Sequence, residues 1–287
     1  MLLRHILAAA DESDSSRQAV RTALDLASRS GAQLSVVRVI PTNAAPQLAG
    51  VAERTGWVGV PAADPDVEHL RRWLEADVLR TPDIDQVRLG AAYGLPGIEI
   101  CRYADDHTVD LVVLGRKHHS QFMRLLQGDT ADAVARRNRC PSLFVPQLQR
   151  RMQRMLVAVD SSPRGLNVLE VACDFARQAG ATLQPITVER VAGNEPSHSV
   201  SSPPLTASVS LQGRVREVLA RKALPDVPLV IRRGEIVESI VAEALESESD
   251  LLIVGYHRGG PPGVLEAGST GRRLVHTAPC AVLTIPL

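Results

Sequence analysis

The sequence Asp250-Leu251-Leu252-Ile253-Val254-Gly255 has an earlier copy in the same chain, Asp110-Leu111-Val112-Val113-Leu114-Gly115. The copies stay in step through Gly128-Asp129-Thr130 and Gly268-Ser269-Thr270, because 255 − 115 and 268 − 128 both equal 140. Upstream, Ile6–Asp11 matches Met155–Asp160 with an offset of 160 − 11 = 149, so the first copy contains an insertion. A repeat of this length indicates a duplicated domain, with two related sites or one site and its relic.

Length and composition limit the class of protein. A chain of 287 residues fits two domains of roughly 100–150 residues each. The 32 basic and 32 acidic residues cancel, which argues against a general attraction to nucleic acid or to an anionic membrane. The four cysteines form no C-x-x-C pair, and the chain shows no signal peptide or long apolar run. We therefore expect a reduced, cytoplasmic protein that binds neither nucleic acid nor membrane.

Short β-rich runs alternate with amphipathic helical runs in both halves, which predicts a parallel sheet wrapped by helices. The strand Leu3–Ala10 ends at Asp11, and a helix over Ser13–Ser30 follows, with Gly31 ending it. Its predicted buried face is Ala19, Val20, Ala23, Leu24 and Ala27. The pattern predicts five strands per half and two doubly wound α/β domains, each a five-stranded parallel sheet flanked by helices. The domains are predicted over residues 1–147 and 153–287, with Gln147–Gln153 as the linker.

The remaining predicted elements complete the two sheets. In the first half they are Gln33–Ile40, Asp66–Arg80, Gln86–Ala91, Gly97–Asp106, Asp110–Leu114, a helix from Asp129, and Ser142–Pro146. In the second half they are Met155–Val159, Arg164–Gln178, Thr182–Val188, Leu211–Ala223, Leu229–Arg232, Ile236–Glu246, Leu251–Val254, Thr270–His276 and Ala281–Ile285. Two loops rich in Ala, Pro, Gly and Ser, Thr42–Pro65 and Ala192–Ala207, are predicted surface excursions, and a lid role is one reading of them.

Three repeated features fall at the carboxyl ends of the strands, where open α/β sheets bind ligands. They are Asp11 or Asp160 after the first strand, the glycine that ends the fourth, and the Gly-Asp-Thr or Gly-Ser-Thr that opens the last helix. An aspartate there can accept hydrogen bonds from a ribose or an adenine amine, or can simply close a turn. The glycine and the helix start suit a phosphate, although a tight turn and a plain N-cap also explain them.

Taken together, these motifs resemble two universal stress protein domains in tandem. That family has a strand ending V-A-V-D, a D-L-I-V-M-G strand, a loop of form G-x-x-G-x9-G-S/T and a final strand A-P-C-P-V-L-V-V. The second half shows Val157–Asp160, Asp250–Gly255, Gly268-Ser269 and Ala278–Leu283. The resemblance covers nearly the whole chain except the two long loops, and it implies a fold like that of the adenine-nucleotide alpha-hydrolases.

The resemblance also implies a site for ATP or another adenine nucleotide, with or without magnesium. Asp160 would hold the ribose or adenine, and the Val188 backbone would border the base. The complete implied set in the second half is Ala158, Asp160, Val188, Gly255, Arg258, Gly259, Gly268, Ser269 and Thr270. The matching first-half set is Asp11, Val39, Gly115, Gly128 and Thr130.

The chain departs from the family pattern in both loops. His118 and Arg258 stand where the family has its second glycine, and Asp129 replaces the serine that the second half keeps as Ser269. A carboxylate near a triphosphate repels it, by about 1 to 4 kcal/mol at about 4 Å depending on the local dielectric. We therefore expect a degenerate first site and a better-kept second one. Arg258 could clamp phosphates or block them, and the sequence leaves both open.

The resemblance implies a cytosolic stress-response regulatory protein that binds or senses an adenine nucleotide through its second domain. One alternative is an interaction module with decayed sites and no bound nucleotide, and a second is a slow ATPase, for which no general base stands out. Both the nucleotide sensor and the interaction module would act through a protein partner, which the sequence does not identify. The last strands, Ser142–Pro146 and Ala281–Ile285, are apolar sheet edges, so we expect them to pair the halves as an internal pseudo-dimer. The sequence leaves open whether two copies of the chain also form a homodimer.

The remaining groups of reactive side chains give weaker predictions of function. His107, His118 and His119 could indicate a metal, but they form no i, i+4 pair and have no cysteine partner, which favours a solvated loop. Ser161-Ser162 and His198 lack a G-x-S-x-G motif or a positioned carboxylate, which argues against a hydrolase. Cys140 and Cys280 open strands and are predicted to be buried packing residues.

Overall fold

The structure is a computed structural model, and it describes residues 2–41, 65–78, 86–116, 130–190, 205–256 and 269–287. The two long loops, except their last residues, lie outside the described residues, as do residues 117–129 and 257–268. The chain divides into two compact units, one of residues 2–149 and the other of residues 150–285. Each unit repeats the same order of strands and helices.

The first unit is a five-stranded sheet in the order β3-β2-β1-β4-β5, with all four neighbouring pairs parallel. Because β1 lies between β2 and β4, the direction of winding reverses beside β1, which is where such sheets bind ligands. The elements are β1 (His5–Ala10), α1 (Asp14–Ser30), β2 (Gln33–Pro41), α2 (Pro65–Asp77), β3 (Val87–Gly94), α3 (Pro96–Asp106), β4 (Leu111–Arg116), α4 (Thr130–Arg137) and β5 (Ser142–Pro146).

The second unit has the corresponding order β10-β9-β6-β7-β8, with β6 parallel to both β7 and β9. Its reversal therefore falls beside β6. The elements are β6 (Arg154–Ala158), α5 (Pro163–Ala179), β7 (Thr182–Glu189), α6 (Leu205–Arg221), β8 (Val230–Arg233), α7 (Ile236–Glu246), β9 (Leu251–Tyr256), α8 (Ser269–Thr277) and β10 (Ala281–Pro286). The predicted fold class and the five strands per half are confirmed.

Several predicted boundaries were wrong. Helix α6 begins at Leu205, six residues before the predicted Leu211, so the end of the Ser- and Ala-containing run that reads as loop belongs to the helix. Strand β3 continues to Gly94 rather than Ala91, because its last residues keep pairing with Val39–Pro41 of β2. On α1, Leu26 is buried and Leu24 only half-buried, so the apolar face is rotated slightly from the predicted one.

The helices that follow the first strand of each unit begin and end in the same way. Ser13 caps α1 by accepting a hydrogen bond from the Ser16 N–H, and Ser162 caps α5 by accepting one from the Gly165 N–H. Gly31 ends α1 in the left-handed conformation at φ 68°, as predicted. Both helices therefore start directly above the carboxyl ends of the first strands.

The aspartate that opens each fourth strand has a structural role at the opposite, amino edge of the sheet. Asp110 Oδ2 accepts hydrogen bonds from the Arg4 and His5 N–H groups at 2.8 and 3.0 Å. Asp250 Oδ2 likewise accepts from the N–H groups of Gln153 and Arg154 at 3.1 and 3.0 Å. The aspartate of the repeated motif thus fixes the first strand against the fourth, far from the carboxyl edge.

The cysteines are free and mostly buried. Burial raises the pKa of the Cys101 thiol to about 12 and the pKa of the Cys140 and Cys173 thiols to about 11. Cys280 is buried as predicted, whereas Cys140 is only half-buried. Protonated thiols of this kind react slowly, so these side chains pack rather than act as nucleophiles. Within the described residues, no helix is long and apolar enough to cross a membrane.

Candidate functional site

The aspartates that follow the first strand of each unit close turns at the carboxyl edge. Asp160 is exposed, and its Oδ1 accepts a hydrogen bond from the Ser162 N–H at 2.8 Å. Asp11 is also exposed, and its Oδ1 accepts from both the N–H and the hydroxyl of Ser13, at 3.2 and 2.5 Å. The turn role that the sequence left open is therefore real in both units. In the second unit the turn uses Oδ1 of Asp160, and the Asp160 carboxylate remains exposed to solvent.

The two turns differ at the fifth residue after the aspartate. A side chain at Gly165 would place its Cβ 2.3 Å from Asp160 Oδ1 and 2.7 Å from the Asp160 carbonyl oxygen. The absence of a side chain there lets the Asp160 carboxylate lie against the start of α5. In the first unit Ser16 stands at this position, and its hydroxyl accepts a hydrogen bond from the Asp11 N–H at 3.0 Å. The two aspartates therefore have different surroundings.

The other implied residues that the structure describes lie at the same edge of the second unit. Ala158 ends β6, Val188 lies near the end of β7, and both are half-buried. Gly255 lies near the end of β9, and Thr270 is in the first turn of α8, which begins at Ser269. In the first unit Val39, Gly115 and Thr130 occupy the matching places. Arg258, Gly259, Gly268 and Gly128 lie outside the described residues, as do His118, His119 and His198.

The glycine near the end of each fourth strand has a different neighbour in the two units. A Cβ on Gly115 would lie 2.5 Å from the backbone of Ser15 and Ser16, so α1 packs its first turn directly on this glycine. A Cβ on Gly255 would instead meet a side-chain methyl of Leu287 at 2.7 Å. Gly115 is therefore required by helix packing, whereas the close contact at Gly255 involves a side chain that can move.

Gly271, which the sequence analysis did not single out, brings the start of α8 onto the end of β9. Its Cβ would lie 2.9 Å from Tyr256 Cδ2 and 3.2 Å from the Gly255 carbonyl oxygen. The first turn of α8, whose N–H groups have no partner within the helix, thus lies beside Gly255. Ala131 occupies the matching position in the first unit.

A charged cluster lies at the carboxyl edge of the first unit and has no counterpart in the second. Glu12, directly after Asp11, has a left-handed backbone with φ 62°. Its Oε1 accepts hydrogen bonds from Arg38 of β2 and, at 2.8 Å, from His69 Nε2 of α2. Ser161 and Thr187 stand at the positions of Glu12 and Arg38 in the second unit. The Glu12 cluster therefore joins three elements over the edge where β1 and β2 end.

Other charges at this edge also differ between the units. Asp132 is buried in the first turn of α4, whereas the matching residue of α8, Arg272, is exposed. Glu99 is buried near the start of α3, and burial raises the pKa of its carboxyl group while Arg102, 3.2 Å away, opposes that rise. Ser239 stands at the position of Glu99. At these two positions the first unit therefore has carboxyl groups where the second has a cation and a hydroxyl.

Sequence reasoning missed the Glu12 cluster, Gly165 and Gly271. A position-by-position comparison of the two halves would have found them, because each is a place where the copies carry different residue types. Among the described residues, no group of three His, Cys, Asp or Glu side chains could hold a metal ion. His118 and His119 lie outside those residues, so the expected absence of a metal site there stays a prediction.

The chain was compared with known proteins. The model of the universal stress protein family matches twice, over residues 3–146 and 152–286. A curated relative, the "Universal stress protein in QAH/OAS sulfhydrylase 3'region" of Thermus aquaticus, is 26% identical over 132 residues, which cover 46% of this chain and 96% of the relative.

Two solved structures resemble the chain over nearly its full length. A universal stress protein from Archaeoglobus fulgidus is 19% identical, with a TM-score of 0.69 and coverage of 98% of both chains. A protein described as a putative universal stress protein from Pseudomonas aeruginosa is 18% identical, with a TM-score of 0.59 and coverage of 99% of this chain and 93% of its own. At these identities the structures establish the fold, and the two family matches establish descent. The chain belongs to the universal stress protein family and carries two of its domains in tandem.

Proposed function

We propose that this protein binds an adenine nucleotide at the carboxyl edge of its second unit and acts as a nucleotide-responsive regulator in a stress response. The observation that supports this most is the contrast between the two edges. The second unit has Ser161, Thr187 and Gly165 where the first has a charged or larger side chain. The second unit therefore lacks the Glu12 cluster that crosses the ends of the first two strands in the first unit, which leaves room beside Asp160 for a ligand.

The electrostatics of the last helix favour the same unit. Helix α8 presents the partial positive charge of its N-terminus beside Gly255, and Arg272 adds a cation in its first turn. In the first unit the matching turn of α4 carries Asp132, preceded in the sequence by Asp129. An anion near α4 would meet carboxylates, which cost free energy rather than supply it. The first unit is therefore proposed to bind triphosphates poorly.

Magnesium, if it accompanies ATP here, would be held largely by the phosphates and by water, as is usual for this ion. Among the described side chains at this edge, we propose the Thr270 hydroxyl, in the first turn of α8, as a ligand of that ion. Family membership fits binding and sensing better than rapid turnover, since no described side chain at this edge has the geometry of a general base positioned on a nucleophile. Weak hydrolysis of bound ATP is the most that we propose.

The role of Asp160 gives a direct test with an internal control. Asp160→Asn keeps an oxygen for the Ser162 N–H but removes the charge that strengthens a hydrogen bond from a ribose hydroxyl. We expect binding to weaken roughly threefold to tenfold, equivalent to about 0.5–1.5 kcal/mol. Asp11→Asn in the first unit should leave the affinity unchanged. Calorimetry with ATP, and with cAMP and dAMP, which are named in the descriptions of two solved universal stress proteins, measures both variants.

Equal losses in the Asp160 and Asp11 variants would place the binding site in both units. No heat with any of the three nucleotides, together with native mass spectrometry that finds no nucleotide in freshly purified protein, would overturn the proposal. That result would favour the interaction module. The Glu12 cluster supports that alternative for the first unit, because its three side chains satisfy one another at the edge.

Arg258 allows a second test, although it lies outside the described residues. A guanidinium can donate a bidentate pair of hydrogen bonds to a phosphate, and Gly259-Gly260 directly after it give the loop freedom to adjust. We expect Arg258→Gly to weaken ATP binding by roughly 1.5–3 kcal/mol, the range for hydrogen bonds to charged groups, and the loss to shrink in high salt. Tighter binding by Arg258→Gly would mean that the arginine fills the pocket instead.

A further inference from the structure

A buried polar cluster lies at the amino edge of the first unit, the edge opposite the Glu12 cluster. It consists of His5 at the start of β1, Ser35 of β2, and Tyr103 and His107 at the end of α3. His5 is 8% exposed, Ser35 is fully buried and Tyr103 is 7% exposed. His5 Nδ1 lies 3.0 Å from the His107 carbonyl oxygen, and His5 Nε2 lies 2.8 Å from Ser35 Oγ.

The partners fix which nitrogen of His5 carries the proton. A carbonyl oxygen can only accept, so Nδ1 must donate to His107, and in a neutral imidazole Nε2 must then accept. Ser35 is left as the donor to Nε2. The Tyr103 hydroxyl in turn donates to Ser35 Oγ at 3.0 Å. The donors therefore run in one direction, from Tyr103 through Ser35 to His5 and on to the His107 carbonyl.

A second proton on His5 would break this order, because Ser35 Oγ would then have to accept hydrogen bonds from both Tyr103 and Nε2. A protonated Nε2 would point an N–H at a hydroxyl that already receives a hydrogen bond from Tyr103, so the hydroxyl would have to turn its own hydrogen elsewhere. The other groups around the ring are Arg88 of β3, Asp110 before β4, and the His107 ring, which stacks on Tyr103 with 3.9 Å between the ring centroids. Asp110 favours the imidazolium, but its Oδ2 already accepts the Arg4 and His5 N–H groups.

Taken together, the groups around His5 disfavour the protonated imidazolium form of its ring. Burial lowers the pKa of His5 from its ordinary value of 6.5, and the charge of Arg88 and the neighbouring His107 ring add to that effect. The hydrogen bond to the His107 carbonyl and the charge of Asp110 act in the opposite direction. The native packing of this edge therefore favours the neutral ring.

The second unit lacks this arrangement altogether. Arg154, Gln184, Glu243 and Ser247 stand at the positions of His5, Ser35, Tyr103 and His107. Only the structural aspartate is shared, as Asp110 and Asp250. An imidazole that must stay neutral is thus a property of one unit, although both have the same fold.

We propose that neutral His5 stabilises the first unit, so that acidification below about pH 6.5 destabilises this unit while the second unit stays folded. The unfolded chain binds a proton on His5 below that pH, whereas the folded unit does not. The stability from His5 is therefore complete above pH 6.5 and is lost as the pH falls toward the folded pKa. This inference does not depend on nucleotide binding.

The test uses the two tryptophans, Trp57 and Trp73, which both belong to the first half of the sequence. Tryptophan fluorescence of the full chain in urea therefore reports on the first unit. Between pH 6.5 and 5.0 we expect the folding equilibrium constant of the wild type to fall faster than that of His5→Gln, by up to about tenfold per pH unit for one proton. His276→Gln, a matched change in the second unit, should keep the wild-type dependence.

A second measurement covers the case in which His5→Gln folds poorly. Nuclear magnetic resonance titration of the wild-type imidazoles should show His5 protonated on Nδ1 and titrating below 6.5. Tyr103→Phe removes the donor that holds Ser35 in its donating orientation, so it should move the His5 midpoint upward. Equal pH dependence of wild type and His5→Gln, or a His5 midpoint at or above 6.5, would overturn the proposal.

Discussion

Ser269→Asp should abolish or nearly abolish nucleotide binding. The change copies into the second unit the carboxylate that the first unit has as Asp129. Helix α8 begins at Ser269, and the N–H groups of its first turn are the proposed phosphate contacts. Two like charges about 4 Å apart cost about 1 to 4 kcal/mol depending on the dielectric, and the upper part of that range corresponds to roughly a thousandfold loss of affinity. Titration calorimetry with ATP measures the change.

Two variants separate charge from size. Ser269→Asn has the shape of aspartate without its charge, so it should bind ATP much better than Ser269→Asp does. Thr130→Ala, at the start of α4 in the first unit, should change little. Wild-type affinity in Ser269→Asp would mean that phosphates do not approach α8, and the proposed site would then be wrong even if nucleotide binds elsewhere.

Gly115→Ala should destabilise the first unit strongly. The new Cβ would lie 2.5 Å from two backbone atoms, the carbonyl carbon of Ser15 and the nitrogen of Ser16. Backbone cannot rotate away as a side chain can, so α1 must move off β4. Overpacking of this kind usually costs about 1–3 kcal/mol, and we expect a loss at or above the upper end of that range. Urea unfolding followed by tryptophan fluorescence measures it.

Gly213→Ala is the matched control. Gly213 is exposed within α6, and a Cβ there would meet nothing within 4 Å. Alanine restricts the unfolded chain and favours the helix, so the second unit should gain about 0.5–1 kcal/mol. Circular dichroism in urea measures changes in the second unit, because both tryptophans lie in the first half. A small loss in Gly115→Ala, comparable to an ordinary surface change, would contradict the close packing of α1 on β4. Gly255→Ala should cost less than Gly115→Ala, because Leu287 can move.

The sequence predicted the strands and helices well because their signals are local. Apolar runs such as Leu111–Leu114 and helix stops such as Gly31 act within a few residues, so they indicate the same element whatever the rest of the chain contains. The boundaries that failed depend on partners instead. Strand β3 extends to Gly94 because β2 continues beside it, and the hydrophobic pattern of β3 alone contains no information about that neighbour.

The candidate site could be predicted only in outline. The repeated motifs placed Asp160, Gly255 and Thr270 at one edge of the sheet, since parallel strands all end there. The motif alone could not distinguish a structural glycine from a ligand-contacting one. Gly115 is explained by the backbone of α1 and Gly255 by a movable side chain, a difference that depends on which atoms lie within 3 Å.

The sequence by itself determined the duplication, the doubly wound fold and the edge of the sheet that carries the repeated motifs, because periodicity and repeat spacing are properties of the chain. Only the tertiary structure decided which side chains meet. It joined Glu12 to Arg38 and His69, and it enclosed His5 between Ser35 and the His107 carbonyl. Those partners are separated by 26 to 102 residues. Contacts over such distances arise from the packing of strands and helices, which no local pattern encodes.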